Sequence, residues 1–153
     1  MIIRSAVTDD LEQIKELFRE LDACSVQQQP EHFQPGERSD EYLQELISNN
    51  DSDFLVCITD DRIIGFSLLF LKETKPISLL VPCIYAYIQD FVITESKRRQ
   101  GYGTALIKAS QYWAKDHGAQ YIRLSVIPNN EAGILFYQKN GLYPQMITME
   151  RPL

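Results

Sequence analysis

A chain of 153 residues, 44% hydrophobic and 24% charged, has the size and composition of one globular domain, able to bury about 70% of the surface its unfolded form exposes without a disulfide or metal staple. No apolar run approaches the roughly 20 residues of a membrane span, and a net charge of −6 with pI near 4.9 counts against a nucleic-acid partner, whose phosphates call for a basic surface. The opening Met1-Ile2-Ile3-Arg4-Ser5 lacks the basic-then-apolar layout of a signal peptide, so a cytoplasmic protein without membrane contact is expected.

Ile2 to Val7 reads as a first strand. Thr8-Asp9-Asp10 then supplies a cap and an acidic first turn for a helix that carries Leu11, Ile14, Leu17, Phe18 and Leu21 on one face. From Val26 to Arg38 two prolines and a glutamine run interrupt any period, which predicts a loop on the substrate side with His32 and Phe33 as its contacts, or a plain surface connection. Ser39 caps a second helix through Leu43, Leu46 and Ile47. Phe54–Ile58 and Ile63–Leu71 form a hairpin across Thr59-Asp60-Asp61-Arg62, with Gly65 allowing a bulge or a close backbone approach.

Ile84 to Ile93 predicts a long strand on which strict alternation puts Tyr85, Tyr87, Gln89 and Phe91 on one face and Ile88, Asp90 and Val92 on the other. Its second half, Phe91-Val92-Ile93, is apolar and β-branched, as in a strand covered on both sides. Lys97, Arg98 and Arg99 follow, then Gly101 and Gly103, then Ala105, Leu106, Ala109 and Trp113 at helical spacing. His117-Gly118 stops that helix. Tyr121–Val126 is a short strand, barred by Pro128 from continuing into a central ladder, and a helix from Asn130 closes at Gly141. Tyr143–Leu153 is compatible with one or two final strands. The resulting β-α-α-β-β-β-α-β-α-β order gives a mixed sheet with helices on its faces, an α/β or α+β single domain over residues 1–153.

Cys24, Cys57 and Cys83 are odd in number and scattered, without Cys-x-x-Cys spacing or a histidine pair, which argues against disulfides and a zinc site. Cys57, inside Phe54-Leu55-Val56-Cys57-Ile58, is most simply a small buried hydrophobe.

The turn from Lys97 to Thr104 has chemical meaning. The first amides of a helix lack intrahelical acceptors and carry a partial positive charge, glycines let an anion approach without meeting a Cβ, and the cations add charge. A diphosphate is the obvious ligand. A dinucleotide fingerprint needs a third glycine where Leu106 stands, and a P-loop needs Lys-Ser or Lys-Thr where Thr104-Ala105 follows Gly103.

Arg98-Arg99-Gln100-Gly101-Tyr102-Gly103 resembles the Arg/Gln-x-x-Gly-x-Gly/Ala signature of the GNAT acetyltransferase superfamily. Downstream, the stretch from Asn130 through Phe136-Tyr137 to Gly141-Leu142 resembles that family's Asn-(x)n-Phe/Leu-Tyr-x-x-x-Gly-Phe helix, in family order and at family separation. The resemblance implies a GNAT-like domain in which the strands at Ile84–Ile93 and Tyr121–Val126 run parallel and splay apart around the pantetheine of acetyl-CoA. It implies a cosubstrate site built from Phe91, Val92, Ile93, Arg98, Arg99, Gln100, Gly101, Tyr102, Gly103, Thr104, Asn130 and Tyr137, and transfer of acetyl to an amine. Tyr137 matches the tyrosine that serves as general acid beside the coenzyme sulfur. Asn130 matches an asparagine that contacts the coenzyme, although as a residue it is equally an N-cap.

The base is less direct. Some relatives carry a glutamate on the central strand where Gln89 stands, and an amide takes no proton. A water-mediated base is therefore expected, with Asp90 and Glu95 the nearest carboxylates and Tyr85 or Tyr87 holding the water. An acyl-CoA-binding sensor that has lost its base is the rival reading, and a nucleotide-binding domain a weaker one. The acidic balance mildly favours a cationic substrate, and the oligomeric state is left open, with a homodimer allowed.

Overall fold

The computed structural model describes residues 1–153. After β1 (Ile2–Ser5), a 3₁₀ turn over Thr8–Asp10 leads into α1 (Leu11–Gln28) and α2 (Asp40–Ser48). Three strands follow, β2 (Ser52–Thr59), β3 (Arg62–Glu73) and β4 (Ile84–Ile93), and the chain closes with α3 (Tyr102–Asp116), β5 (Tyr121–Leu124) and α4 (Glu131–Lys139). The strands lie in one sheet in chain order; the first three pairings are antiparallel and β4–β5 is parallel, so the expected mixed sheet is observed. No helix is long and apolar enough to cross a membrane.

Each helix packs where its apolar stripe directs it. Leu11, Ile14, Leu17 and Phe18 of α1 and Leu43 and Leu46 of α2 meet Phe54, Val56, Phe66, Leu68 and Val92 on one face of the sheet. Leu106, Ile107, Trp113 and Ala114 of α3 meet Leu55, Cys57, Leu69, Ala86, Ile88 and Ile93 on the other, joined by Phe136 and Tyr137 of α4. Burial pushes the Cys57 thiol up, as suits an inert core residue.

Local chemistry sets the boundaries. Asp10, nearly buried, accepts from Arg4 through both carboxylate oxygens at 2.6 and 3.0 Å and from the Val7 amide at 2.8 Å, closing the turn ahead of α1. Arg4 is the main reason its carboxyl is held below the usual range. Ser39 Oγ accepts from the Tyr42 amide at 3.2 Å as the N-cap of α2. Asp60 and Asp61 both take positive φ, the two-residue hairpin turn that matches strand twist. At Gly65 a Cβ would meet the Val92 carbonyl at 2.4 Å, so the close approach foreseen there is real. His117 stacks on Trp113 at 4.0 Å and Gly118 takes φ +75° as α3 ends.

Four expectations need correction. α1 runs through Gln28, beyond the Val26 start of the predicted loop, because Val26 to Gln28 are ordinary helix residues and the prolines begin only at Pro30. β5 stops at Leu124. Tyr143–Leu153 forms no strand within the chain, since nothing pairs with its backbone.

The fourth correction concerns β4. Leu68 pairs with Asp90 but Leu69 with Ile88, so Gln89 is an extra, exposed residue in a β-bulge. The bulge reverses the alternation beyond it. Tyr87 is paired with Phe70 and Asp90 with Leu68, and both partners pack with the α1/α2 core, as does Val92. Phe91 and Ile93 instead follow Ala86 and Ile88 onto the α3 face. Asp90 therefore shares its face with Tyr85 and Tyr87, and Phe91 does not.

Candidate active site

The turn from β4 to α3 reaches the helix through Arg99 at φ +60° and Gly101 at φ +88°, left-handed residues of the kind that gather successive amides into an anion-holding concavity. The amides from Arg99 to Thr104 donate to no acceptor in the protein, the first contact of α3 being Ala105 N to the Gly101 carbonyl at 3.0 Å. A Cβ at Gly101 would meet nothing within 4 Å. A row of free amides at a helix start, open at its glycine, fits the oxygens of a diphosphate.

The two glycines are not equivalent. A Cβ on Gly103 would lie 3.2 Å from the Phe136 ring, so its smallness serves the packing of α4 on the start of α3. Nor are the cations equivalent. Arg98 Nε donates to the Ile93 carbonyl at 2.8 Å and Nη2 to Glu20 at 3.2 Å, which ties Arg98 back to the strand and α1. Lys97 lies 3.7 Å from Asp60, the Gln100 side chain donates to the Ser96 carbonyl, and exposed Arg99 has no protein partner. Tyr102 and Thr104 are half-buried in the first turn of α3.

Glu20 has no signal in the sequence, being one of several acidic residues on an amphipathic helix. Its carboxylate accepts from Thr94 Oγ1 at 2.8 Å, the Glu95 amide at 2.7 Å and Arg98, and so anchors both ends of the short 3₁₀ turn Glu95–Lys97. Net contributions of about 0.5–1.5 kcal/mol per hydrogen bond make Glu20→Ala expected to loosen the loop and weaken binding of a diphosphate ligand there by about 5- to 30-fold. Glu20→Gln, which keeps an acceptor, should lose less, and isothermal calorimetry of both variants against a diphosphate-bearing ligand measures the difference.

Beyond this loop the sheet opens. The β4–β5 ladder ends at Ile88–Leu124, while β4 continues to Ile93, leaving its second half without a neighbour on that side. Tyr87 Oη donates to Ser125 Oγ at 3.0 Å just past the last pair. The residues on either face of this free half differ in character. On the α3 face Phe91 packs against Phe136 at 5.7 Å and Tyr137 at 6.1 Å, Tyr137 edge-on. Burial pushes the Tyr137 phenol up to about 12, so it keeps its proton. Val92, 4% exposed, turns its side chain into the α1/α2 core, and the Ile93 side chain is buried under α3; for a ligand in the opening these two offer backbone.

On the opposite face stands Asp90, mostly buried. Burial is the main cause that pushes its carboxyl up to about 6, with Arg38 lowering and Asp22 raising it. Arg38 makes a two-pronged ion pair with Asp22 and lies 4.2 Å over the Phe18 ring, so its charge is largely answered before it reaches Asp90. The loop before α2 thus delivers Arg38 to the site. His32 instead contacts Glu150 at 2.5 Å, and Glu95 is exposed on the rim. Asn130 Oδ1 accepts from the Gly133 amide at 3.0 Å as the N-cap of α4, which leaves only its amide nitrogen free.

A free amide cradle at a strand-to-helix turn, beside a parallel ladder that stops at Ile88–Leu124, is an arrangement able to hold a phosphorylated ligand where the sheet is unpaired. The chain belongs to the acetyltransferase (GNAT) family, whose model matches residues 14–142, and acetyl-CoA is that family's cosubstrate. It is 35% identical over 60 residues to the uncharacterized N-acetyltransferase YobR of Bacillus subtilis (strain 168), a match over 39% of this chain that spans only 24% of that relative's length. A mutant of the BH1408 protein from Bacillus halodurans superposes with a TM-score of 0.95 at 26% identity, over 100% of this chain and 99% of that one. The aminoglycoside N-acetyltransferase AAC(6')-Iy in complex with CoA superposes with a TM-score of 0.75 at 17% identity, over 99% of each chain, a likeness of fold.

Proposed function

We infer that this protein is a cytoplasmic N-acetyltransferase that moves the acetyl group of acetyl-CoA to the primary amine of a small molecule or peptide. The observation that carries the reading is the pairing of a proton acceptor, Asp90, with a proton donor, Tyr137, on opposite faces of the unpaired half of β4. Acetyl-CoA supplies an activated acyl carbon. The chain's residues supply its binding site and the two proton movements. The free amides from Arg99 to Thr104 bind the diphosphate with Arg99 as the available cation, while Arg98 acts through the loop it braces.

An alkylamine of pKa about 10.4 is protonated at neutral pH and must lose a proton before it can attack. Asp90, directly or through a water held near Tyr87, accepts that proton; Gln89 is turned out by the bulge and takes no part, and Tyr85, about five residues back along the strand under Arg123, lies too far away to hold that water. As the new C–N bond forms and the C–S bond breaks, the electron pair goes to sulfur. The departing thiolate, of ordinary pKa about 8.5, gains a hydrogen bond from the Tyr137 phenol and takes its proton as the C–S bond breaks, and the phenolate, of higher pKa, recovers a proton from solvent. Unpaired amides of β4 facing the opening are the groups available to the oxyanion. The acidic overall charge suits a cationic acceptor.

Release of free thiol from acetyl-CoA, followed across a panel of amines with the acetylated product identified by mass, tests the reading. Tight CoA binding without turnover on any amine would instead support a sensor. Gly101→Val is expected to weaken CoA binding by at least tenfold, because it strains a left-handed position by about 1–2 kcal/mol and puts a side chain where the anion approaches. Arg99→Ala, which removes an exposed charge, should weaken it several-fold less. Calorimetry on folded variants gives both numbers.

A further inference from the structure

The face of the sheet that carries Asp90 continues away from it into a groove of the opposite charge. Tyr87 stands two ladder positions back from Asp90 and Tyr85 two further, beside Phe70 and Lys72 of β3. At that end of the strands Lys72, Lys75 and Arg123 line an open groove of about 520 Å³, with Tyr85 and Leu80 as apolar wall and Glu73 as the carboxylate among its lining residues. Three cations against one anion give a local field opposite in sign to the chain's net charge of −6.

These cations are not answered within the protein. Its ion pairs engage Arg4, Lys15, His32, Arg38, Arg62, Lys97 and Arg98, and none reaches Lys72, Lys75 or Arg123. Rings hold two of them instead. Lys72 Nζ lies 4.5 Å from the centre of Tyr87 and 5.9 Å from that of Phe70, and the Arg123 guanidinium lies 4.4 Å from Tyr85 and 5.4 Å from Tyr121. An aromatic face fixes a cation without neutralising it, which leaves the charge to an anion from outside. Tyr87 joins this groove to the opening in the sheet, because its hydroxyl donates to Ser125 where the β4–β5 ladder has just ended.

We propose that the groove is the second anchor of the acceptor, so that the amine acetylated here also carries a carboxylate, seated between Lys72 and Arg123. The inference rests on the N-acetyltransferase reading with Asp90 as the base. At about 3.3 Å per residue the step from Asp90 to Tyr87 is about 7 Å and that to Tyr85 about 13 Å, which sets the separation of amine and carboxylate. An extended peptide of roughly two to four residues spans that distance from its amino to its carboxyl end. The acidic balance of the whole chain draws in the ammonium end, and the groove orients the other. A polyamine, cationic at both ends, would set a like charge against Lys72 and Arg123 and is selected against.

The test follows thiol release by the full-length protein with acetyl-CoA and either triglycine or triglycinamide, which differ only in the charge at the far end. Triglycine is expected to have the higher kcat/KM by about tenfold or more, chiefly through KM. In the double variant Lys72→Gln, Arg123→Gln that preference should shrink to less than about threefold, whereas a merely structural defect would lower both acceptors alike. Binding is read separately. N-acetyltriglycine titrated calorimetrically into the CoA complex is expected to bind the wild type about tenfold more tightly than the double variant. Equal rates for acid and amide, faster turnover of the amide, a preference that survives the double variant, or equal binding by both proteins would overturn the carboxylate subsite. Selective binding with no turnover on any amine would instead overturn the transferase reading, and the acceptor assignment with it.

Discussion

Asp90→Asn is expected to lower kcat/KM by about 100- to 10,000-fold, the range general-base catalysis covers, and to remove an ascending limb of the pH–rate profile near pH 6. The position of that limb follows from the pKa of about 6 that burial confers on Asp90. Below it the carboxyl is protonated and cannot accept; above it the base is available. The same shift makes an opposite prediction for stability. Because the folded pKa lies above the unfolded value of 3.8, the folded state holds the proton more tightly, and stability falls as pH rises between the two. Above pH 6 ionised, buried Asp90 is a liability, so Asp90→Asn should stabilise the fold at pH 7 by on the order of 1–3 kcal/mol while disabling turnover. Glu95→Gln, on the exposed rim, should do neither. Profiles for the wild type and both variants with two amines of different pKa check the assignment: an inflection that tracks the amine in all three proteins would mean that the amine arrives neutral and Asp90 is not the base.

Tyr137→Phe should lower kcat by about 100- to 10,000-fold with little change in CoA affinity, because the ring keeps its packing on Phe91 and Phe136 and only the proton donor is lost. With a pKa of about 12 the phenol stays protonated across the working range, so no descending limb from this group is expected below pH 10. The loss should also depend on the leaving group, being larger for a basic thiolate than for an acyl donor with a more acidic thiol. If Tyr137→Phe lost melting temperature yet kept its rate per folded molecule, Tyr137 would be a core residue and the thiolate would take its proton from solvent.

Much of this protein was legible in its residues because the signals are local. The apolar stripes of α1 and α3, Ser39 ahead of α2, the Asp60-Asp61 turn, and the Gly101 and Gly118 positions each follow from what a short stretch of backbone will tolerate. The glycine turn and the helix from Asn130 were likewise sufficient to place the chain in its family.

What sequence could not decide is which side of the sheet Asp90 faces. Alternation assumes that every residue of β4 has a partner on β3, and the pattern from Ile84 to Ile93 carries no mark of the residue that does not. The bulge at Gln89 arises from the register of two strands, and it alone moves Asp90 onto the face where Asp22 and Arg38 wait and leaves Phe91 with Tyr137 on the other. Glu20 is the same lesson at longer range, since its three contacts lie on a loop that only the packing of α1 under the sheet brings to it. The chemistry of each side chain is written in the sequence. Its direction and its company depend on pairing and packing between segments far apart in the chain, and those belong to the tertiary structure.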